Sequence, residues 1–144
     1  MNEVKITAPC KKVMIVDDNE VDLYIGERSI QKSAFADEVV LKESATRALD
    51  YLRSLADTPH LLPDLIFLDI QMPQINGFGF LEEYAKLPET VQKKCIIMML
   101  SSSLNQDDHA RAESNAFVSR FLTKPLNQEK LKSIVAETVA SKAA

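Results

Sequence analysis

The sequence predicts a doubly wound α/β domain, in which five helices cover both faces of a five-stranded parallel sheet. Short apolar runs alternate along the chain with segments in which apolar residues recur at helical spacing. The runs contain much valine and isoleucine and lack polar alternation, which is typical of strands buried on both faces. A strand followed by a helix, repeated along the chain, builds parallel strands through right-handed crossovers.

Five apolar runs are the predicted strands, at residues 13–16, 39–41, 65–68, 96–100 and 121–122. Four of them lead into polar residues, which in chain order are Asp17 with Asp18, Asp69, Ser101 and, after Thr123, Lys124. Parallel strands present their carboxyl ends at one edge of the sheet, where such folds place their sites. These polar residues are therefore the candidate functional residues.

The first predicted helix runs from Asn19 to about Ser33, although Gly26 and Ser29 interrupt its pattern. Its predicted apolar face consists of Val21, Tyr24 and Ile25. The other four predicted helices begin at residues suited to capping a helix N-terminus, namely Ser44, Asn76, Asn105 and Asn127. The last of them is marked by apolar residues at 131, 134, 135 and 139.

The length of 144 residues is that of one domain. Residues 1–11 are expected to form a loose N-terminal tail, and residues 12–144 the domain itself. The segments 57–63 and 88–94 are expected to be loops.

Composition and charge exclude several classes of function. The net charge of -4 provides no basic surface, so no direct contact with nucleic acid is expected. No apolar run reaches the roughly 20 residues that span a membrane, and no signal peptide is present, so a reduced, cytoplasmic location is expected. The three glycines form neither a phosphate-binding P-loop nor a complete dinucleotide fingerprint.

The three aspartates predict a metal site if the first and third strands are neighbours. Asp17, Asp18 and Asp69 would then meet in a small volume, where carboxylates repel and require a cation. Mg²⁺ fits this set, because it takes few carboxylates together with water and phosphate oxygens. Each aspartate alone is equally well explained as the cap of a following turn. The combination with Ser101 and Lys124 is what indicates a site.

Lys124 adds an ammonium group to the same edge, and Ser101 adds a hydroxyl. Together with a metal ion, these groups are what a phosphoryl group requires, because cations neutralise its charge and a hydroxyl donates to its oxygens. An aspartate carboxylate can act as the nucleophile. The predicted product is an acyl phosphate on aspartate.

At this point the sequence resembles the receiver domain of bacterial two-component response regulators, over about Lys12 to Val139. The matching residues are Val16 to Asn19, Pro63 to Pro73 with Asn76 and Gly77, Leu100 with Ser101, and Phe121 to Pro125. The similarity is greatest to the single-domain, chemotaxis-regulator-like branch. It implies a flavodoxin-like strand order of 2-1-3-4-5.

The resemblance also implies a role for each site residue. Asp69 would accept a phosphoryl group from a phosphohistidine on a sensor histidine kinase or a phosphotransfer domain. Asp18, Asp69 and the backbone carbonyl of Gln71 would bind Mg²⁺, and Asp17 would hold a metal-bound water. Lys124 would pair with the phosphoryl oxygens. The protein would be a phosphoacceptor that promotes its own phosphorylation and dephosphorylation, not an enzyme.

Ser101 and Phe121 would form a switch in the same family pattern. Ser101 would move to the phosphoryl group, and Phe121 would rotate into the space vacated. The switch would alter a face formed by the fourth predicted helix, the fifth strand and the fifth predicted helix, where an unidentified downstream protein would bind. The peptide bond between Lys124 and Pro125 is expected to be cis. No membrane partner is expected.

Two alternatives remain at this level. A phosphorelay intermediate would pass the phosphoryl group from Asp69 to a phosphotransfer histidine. A haloacid-dehalogenase-type phosphatase would also use an aspartate nucleophile with Mg²⁺, but it needs a second aspartate two residues later, where this chain has Gln71.

Overall fold

The computed structural model describes residues 10–102 and 105–134. Within these ranges, five strands form one parallel sheet in the order β2-β1-β3-β4-β5. The strands are β1 (Cys10–Val16), β2 (Ala36–Lys42), β3 (Leu65–Asp69), β4 (Ile96–Ser101) and β5 (Val118–Thr123). This order confirms the predicted fold class. The strand order reverses between β1 and β3, and such a switch point is where doubly wound folds place their sites.

In the described ranges, six helices cover the sheet, one more than the sequence predicts. They are α1 (Glu20–Lys32), α2 (Ala45–Ser54), α3 (Gly77–Tyr84), α4 (Glu89–Lys94), α5 (Gln106–Glu113) and α6 (128–134, where the described residues end). A short 3₁₀ turn, Pro59–Leu61, lies within the predicted loop 57–63. None of the helices described is long and apolar enough to cross a membrane.

The additional helix, α4, lies in the segment 88–94, which the sequence predicts to be a loop. Its 6 residues are too few to repeat an apolar spacing, so periodicity gives no sign of it. Tertiary contacts stabilise it instead. Val91 is fully buried, and the Gln92 amide donates hydrogen bonds to the carbonyl of Tyr84, which ends α3, and to that of Leu87 in the segment that follows.

The predicted apolar face of α1 is wrong. Its members are exposed, with relative accessibilities of 65% for Val21, 59% for Tyr24 and 37% for Ile25. The residues that α1 buries are Leu23, Gly26 and Ile30, whose spacing is equally helical. Gly26 packs closely on β1, since a Cβ there would lie 2.8 Å from Cδ1 of the Ile15 side chain.

The predicted helix starts are confirmed by side-chain caps. The residues whose side-chain oxygens accept hydrogen bonds from first-turn backbone N–H groups are Asn19, Ser44, Asn76, Asn105 and Asn127. Each cap satisfies backbone donors that the helix itself leaves unpaired. The caps Asn19 and Asn76 begin the helices that follow β1 and β3, the two strands at the switch point.

The sheet is buried on both faces, which explains why its strands lack polar alternation. On one face, Met14, Ile66 and Met99 pack with side chains of α2 and α3. On the other, side chains from alternate positions, such as Ile15 and Phe67, pack with α1 and α6. Two apolar cores on opposite faces hold the sheet rigid beneath its carboxyl edge.

The sheet begins earlier than the expected boundary at Lys12. Cys10 pairs with Ala36 in the neighbouring strand, and the N–H of Cys10 donates to the carbonyl of Phe35 at 3.1 Å. Residues 1–9 of the predicted tail lie outside the described residues, as do Val135 and Val139 of the last predicted helix.

Asp64 joins the amino-terminal edges of β1 and β3. Its Oδ2 accepts backbone N–H groups of Lys11 at 2.8 Å and Lys12 at 3.3 Å, and its Oδ1 pairs with the ammonium of Lys94. Burial opposes ionisation of Asp64, but the hydrogen bonds of Lys94 and the backbone outweigh it and lower the pKa of this carboxyl group.

We predict that Asp64→Asn lowers the free energy of unfolding by about 1–2 kcal/mol at pH 7, because it removes charge-assisted hydrogen bonds. A lowered carboxyl pKa stabilises the fold above the unfolded pKa of about 4, and this contribution is lost as the pH falls through the folded pKa. The difference between the variants should therefore shrink in acid. Urea unfolding at pH 7 and pH 3 measures it.

The matched control is Asp50→Asn, which breaks a pair with Arg53 on the surface of α2, where the Asp50 side chain is 68% exposed. Such a pair contributes less than about 0.5 kcal/mol. Equal losses for the two variants would contradict the role given to Asp64.

Candidate functional site

The candidate residues lie at the carboxyl ends of four adjacent strands. Asp17 and Asp18 follow β1, Asp69 ends β3, Ser101 ends β4 and Lys124 follows β5. The register brings them to one level, because Asp69 pairs with Leu100, the residue before Ser101, and Ser101 pairs with Thr123, the residue before Lys124. The structure thus brings the predicted residues to one edge of the sheet.

The three aspartates form a compact acidic cluster. Asp17, Asp18 and Asp69 each offer a carboxylate oxygen, and these oxygens all lie within 4.8 Å of one another. Asp17 and Asp69 are buried, with 1% and 4% of their surface accessible, while Asp18 is exposed. Part of the cluster is held by local backbone bonds, since the N–H of Asn19 donates to Oδ1 of Asp17 at 2.9 Å.

Lys124 supplies the ammonium group at the centre of this cluster. Its Nζ lies 2.7 Å from Oδ2 of Asp17, 2.8 Å from Oδ2 of Asp22 and 3.3 Å from Oδ1 of Asp69. The Lys124–Pro125 peptide bond is cis, the isomer that the family resemblance implies. The backbone N–H of Lys124 donates to the carbonyl of Ser101 at 2.8 Å, which fastens the start of this turn to β4.

The electrostatics of the cluster are set by burial and by repulsion. Burial and, after it, the charge of Asp17 raise the pKa of Asp69 to about 6, although Lys124 opposes both effects. Burial would lower the pKa of Lys124, but its hydrogen bonds with Asp17 and Asp22 outweigh burial and raise that pKa above its ordinary value. Lys124 is therefore charged at neutral pH.

The donor set fits a hard divalent cation. In the part of the chain that the structure describes, the cluster contains carboxylates and neither histidine nor cysteine. Carboxylate oxygens together with water suit Mg²⁺, whereas zinc prefers nitrogen and sulfur ligands. Gln71, whose carbonyl was predicted as a further ligand, lies two residues beyond Asp69, and its N–H points to Oδ1 of Asp69 at 3.4 Å.

The two predicted switch residues lie on neighbouring strands. Ser101 is buried, with 1% of its surface accessible. Phe121 of β5 is half-buried and pairs with Met99. Its ring centroid lies 4.6 Å from that of His109 on α5, and Nε2 of His109 lies 2.9 Å from Glu113. The Phe121 ring on β5 thus packs against α5, a helix that faces the solvent.

Gly77 has a role that spacing could not reveal. Its N–H donates to the carbonyl of Ile70 at 2.8 Å, and a Cβ at this position would lie 2.7 Å from the backbone oxygen of Asp69. No side chain fits there without displacing the end of β3. The sequence match includes Gly77. Only the structure shows that this glycine lets α3 start directly against the backbone of Asp69.

Among the described residues, Asp22 is the one acidic contact of Lys124 that the sequence analysis missed. It lies in the first turn of α1 and not at the end of a strand. A search restricted to strand ends excludes such a residue. The signal that could have found it is its position in the first turn of a helix that starts directly at the site.

Comparison with known proteins agrees with this geometry. The chain matches the response regulator receiver domain model over residues 13–136. A response regulator receiver protein from Dyadobacter fermentans is 37% identical and superposes with a TM-score of 0.79, covering 90% of this chain and 98% of that chain.

For two further relatives, the alignment with this chain covers nearly the whole length of the relative. A two-component response regulator from Cytophaga hutchinsonii has a TM-score of 0.84 at 26% identity, covering 91% of this chain and 98% of that chain. The polar-differentiation response regulator DivK of Brucella ovis is 29% identical over 129 residues, which is 88% of this chain and 98% of DivK.

The fold, the acidic cluster and this match define a signalling domain of two-component systems rather than a classical enzyme. More specifically, the chain belongs to the response regulator receiver domain family.

We predict that Asp69→Asn stabilises the protein at pH 7 when EDTA is present, by on the order of 1 kcal/mol, because it removes a buried charge that repels Asp17. The pKa of Asp69 is raised from about 4 in the unfolded chain to about 6 in the folded one. The folded wild type therefore binds the proton more tightly, and its stability falls as the pH rises through that window. The advantage of the variant should be present above pH 6 and absent below pH 4.

Thermal unfolding of wild type and Asp69→Asn across pH 4 to pH 7 measures this difference. Asp50→Asn on the surface of α2 is the control and should show no such trend. An advantage of Asp69→Asn that is equally large at pH 4 would contradict the prediction.

We also predict that Gly77→Ala lowers the free energy of unfolding by about 1–3 kcal/mol, because the added methyl group overlaps backbone atoms of β3. It should also weaken Mg²⁺ binding by displacing Asp69, which isothermal titration calorimetry measures. Gly79→Ala is the matched control. Its methyl group would meet the side-chain Cγ2 of Ile75, which can turn away, and alanine favours a helix over glycine by up to about 1 kcal/mol. Equal effects at the two positions would contradict the prediction.

Proposed function

We propose that this protein is a stand-alone receiver that accepts a phosphoryl group on Asp69 from a phosphohistidine and thereby changes its partner-binding face. One observation supports this proposal more strongly than any other. The Asp69 carboxylate is buried at the end of a central strand, within an acidic cluster and 3.3 Å from the ammonium of Lys124. A structural aspartate has no need of such surroundings.

The acidic cluster supports Mg²⁺ as the cofactor. Asp18, Asp69 and the backbone carbonyl of Gln71 would hold the ion, and Asp17 would hold it through a water molecule. Bound Mg²⁺ supplies positive charge to the phosphoryl oxygens during transfer. The pKa of Asp69 is raised by burial and, after that, by repulsion from Asp17, and a bound cation would relieve both effects.

The transfer step follows from the residues present. An Asp69 oxygen attacks phosphorus and forms a P–O bond, while the P–N bond of the donor phosphohistidine breaks. The imidazole leaves with the electron pair of that bond, neutral when its other ring nitrogen carries a proton. Lys124 pairs with phosphoryl oxygens, and the hydroxyl of Ser101 donates a hydrogen bond to them.

The positions of Ser101 and Phe121 support the proposed switch. A Ser101 side chain drawn towards the phosphoryl group would leave space beside β4, and the half-buried ring of Phe121 on β5 would fill it. That rotation would break the ring contact with His109 and so alter the surface of α5, β5 and α6. A downstream protein that reads this surface, and a sensor histidine kinase or phosphotransfer domain that supplies the phosphoryl group, are the proposed partners.

We predict that acetyl phosphate with Mg²⁺ adds a single phosphoryl group to the wild-type protein, and that EDTA prevents the addition. Asp69→Asn should show none, because an amide oxygen is too poor a nucleophile. Intact-mass spectrometry measures the adduct. Asp50→Asn serves as the control for loss of an aspartate elsewhere and should behave like the wild type. Incorporation by Asp69→Asn at the wild-type level would refute the assignment.

A further inference from the structure

Asp22 forms a contact at the site that the roles given above do not use. Its Oδ2 lies 2.8 Å from Nζ of Lys124, closer than Asp69, whose Oδ1 lies 3.3 Å from the same nitrogen. The Lys124 side chain is 12% exposed and that of Asp22 32% exposed, so the pair is partly shielded from solvent. The ammonium is thus shared between α1 and the proposed acceptor.

The position of Asp22 is fixed by its own helix. Its backbone N–H donates to Oδ1 of the cap Asn19 at 3.1 Å, and Val21 donates to the same oxygen at 2.9 Å. An acid in the first turn of a helix is also stabilised by the positive end of the helix dipole. The backbone of Asp22 is therefore held in place, and its short side chain has less reach than the four-carbon stem that carries the Lys124 ammonium.

The surroundings of the pair leave the ammonium few other partners. Lys124 and Asp22 border a pocket whose other walls are largely apolar, formed by side chains that include Ile15, Ile25 and Leu100. In the described residues, the acids in contact with Lys124 are Asp17, Asp22 and Asp69. An ammonium that turns towards a phosphoryl group on Asp69 must therefore loosen its bond to one of the other two carboxylates.

We propose that Asp22 is a positioning residue that holds the Lys124 ammonium towards α1 in the unphosphorylated protein and thereby slows phosphorylation of Asp69. The inference rests on the proposed function of Asp69. In the reaction with acetyl phosphate, an Asp69 oxygen forms a bond to phosphorus, the P–O bond to acetate breaks, and acetate leaves with the electron pair. The phosphoryl oxygens remain negatively charged throughout that step, and the ammonium must move towards them to pair with them.

The test compares rates of phosphorylation by acetyl phosphate at saturating Mg²⁺, followed by intact mass. Asp22→Asn should react about fivefold faster than the wild type, the size expected for release of one partly exposed ion pair. Asp22→Glu, which keeps the charge, should return part of the way to the wild-type rate. Thermal unfolding verifies that each variant is folded.

Two controls separate this role from general effects of charge. Glu20→Gln removes the same charge from the same turn of α1, at an exposed residue that is not among the described contacts of Lys124. It should leave the rate within twofold of the wild type. In the Lys124→Ala background, Asp22→Asn should have no further effect, because the residue through which it acts is absent.

The outcomes are distinct. Acceleration by Asp22→Asn alone, abolished in the Lys124→Ala background, supports the inference. Equal acceleration by Glu20→Gln, or a persisting effect in the Lys124→Ala background, overturns it and leaves the proposed function intact. Absence of any adduct on the wild-type protein overturns the proposed function and this inference with it.

Discussion

The site depends on the ion pairs that the ammonium group of Lys124 forms. A parallel sheet brings the carboxyl ends of its strands to one edge, and here those ends carry aspartates that repel each other. Lys124 contacts Asp17 after β1, Asp22 on α1 and Asp69 on β3, while its own backbone continues β5. One cation therefore joins four segments. Because the loss of one partner leaves buried charges unpaired, these segments are coupled to each other through it.

The backbone beneath the cluster imposes a second constraint. Gly77 allows α3 to start against the carbonyl of Asp69, and the carbonyl of Ser101 receives the N–H of Lys124. On the far side, Nζ of Lys130 lies 2.9 Å from the carbonyl of Pro125 and restrains the turn that carries the lysine. The main chain of the site is thus held at several points. The freedom that remains belongs to side chains, above all to the Lys124 ammonium and to Phe121.

The limits of sequence reasoning follow from the same physics. Buried parallel strands produce uninterrupted apolar runs, and capping residues such as Ser44 and Asn76 mark helix starts, so the fold and the strand-end residues were predictable. Spacing did not distinguish the two faces of α1, because both show helical periodicity and only packing on the sheet shows that Leu23, Gly26 and Ile30 are buried. The short helix α4 is stabilised by hydrogen bonds from the Gln92 side chain to the backbone just before the helix, and apolar spacing does not reveal such contacts. Asp22 was missed because its importance lies in a three-dimensional contact with Lys124, 102 residues away.

The charge balance of the cluster explains how a small chemical change can act on the whole domain. Phosphorylation of Asp69 would replace a carboxylate with a group of greater negative charge, while the main chain around it stays fixed. The ammonium of Lys124 would then move towards Asp69 and away from Asp22 on α1. Ser101 would respond on the other side of the acceptor, next to the strand that carries Phe121. A single added group would thus change the contacts of α1 and of β5 together, as happens in a two-state switch.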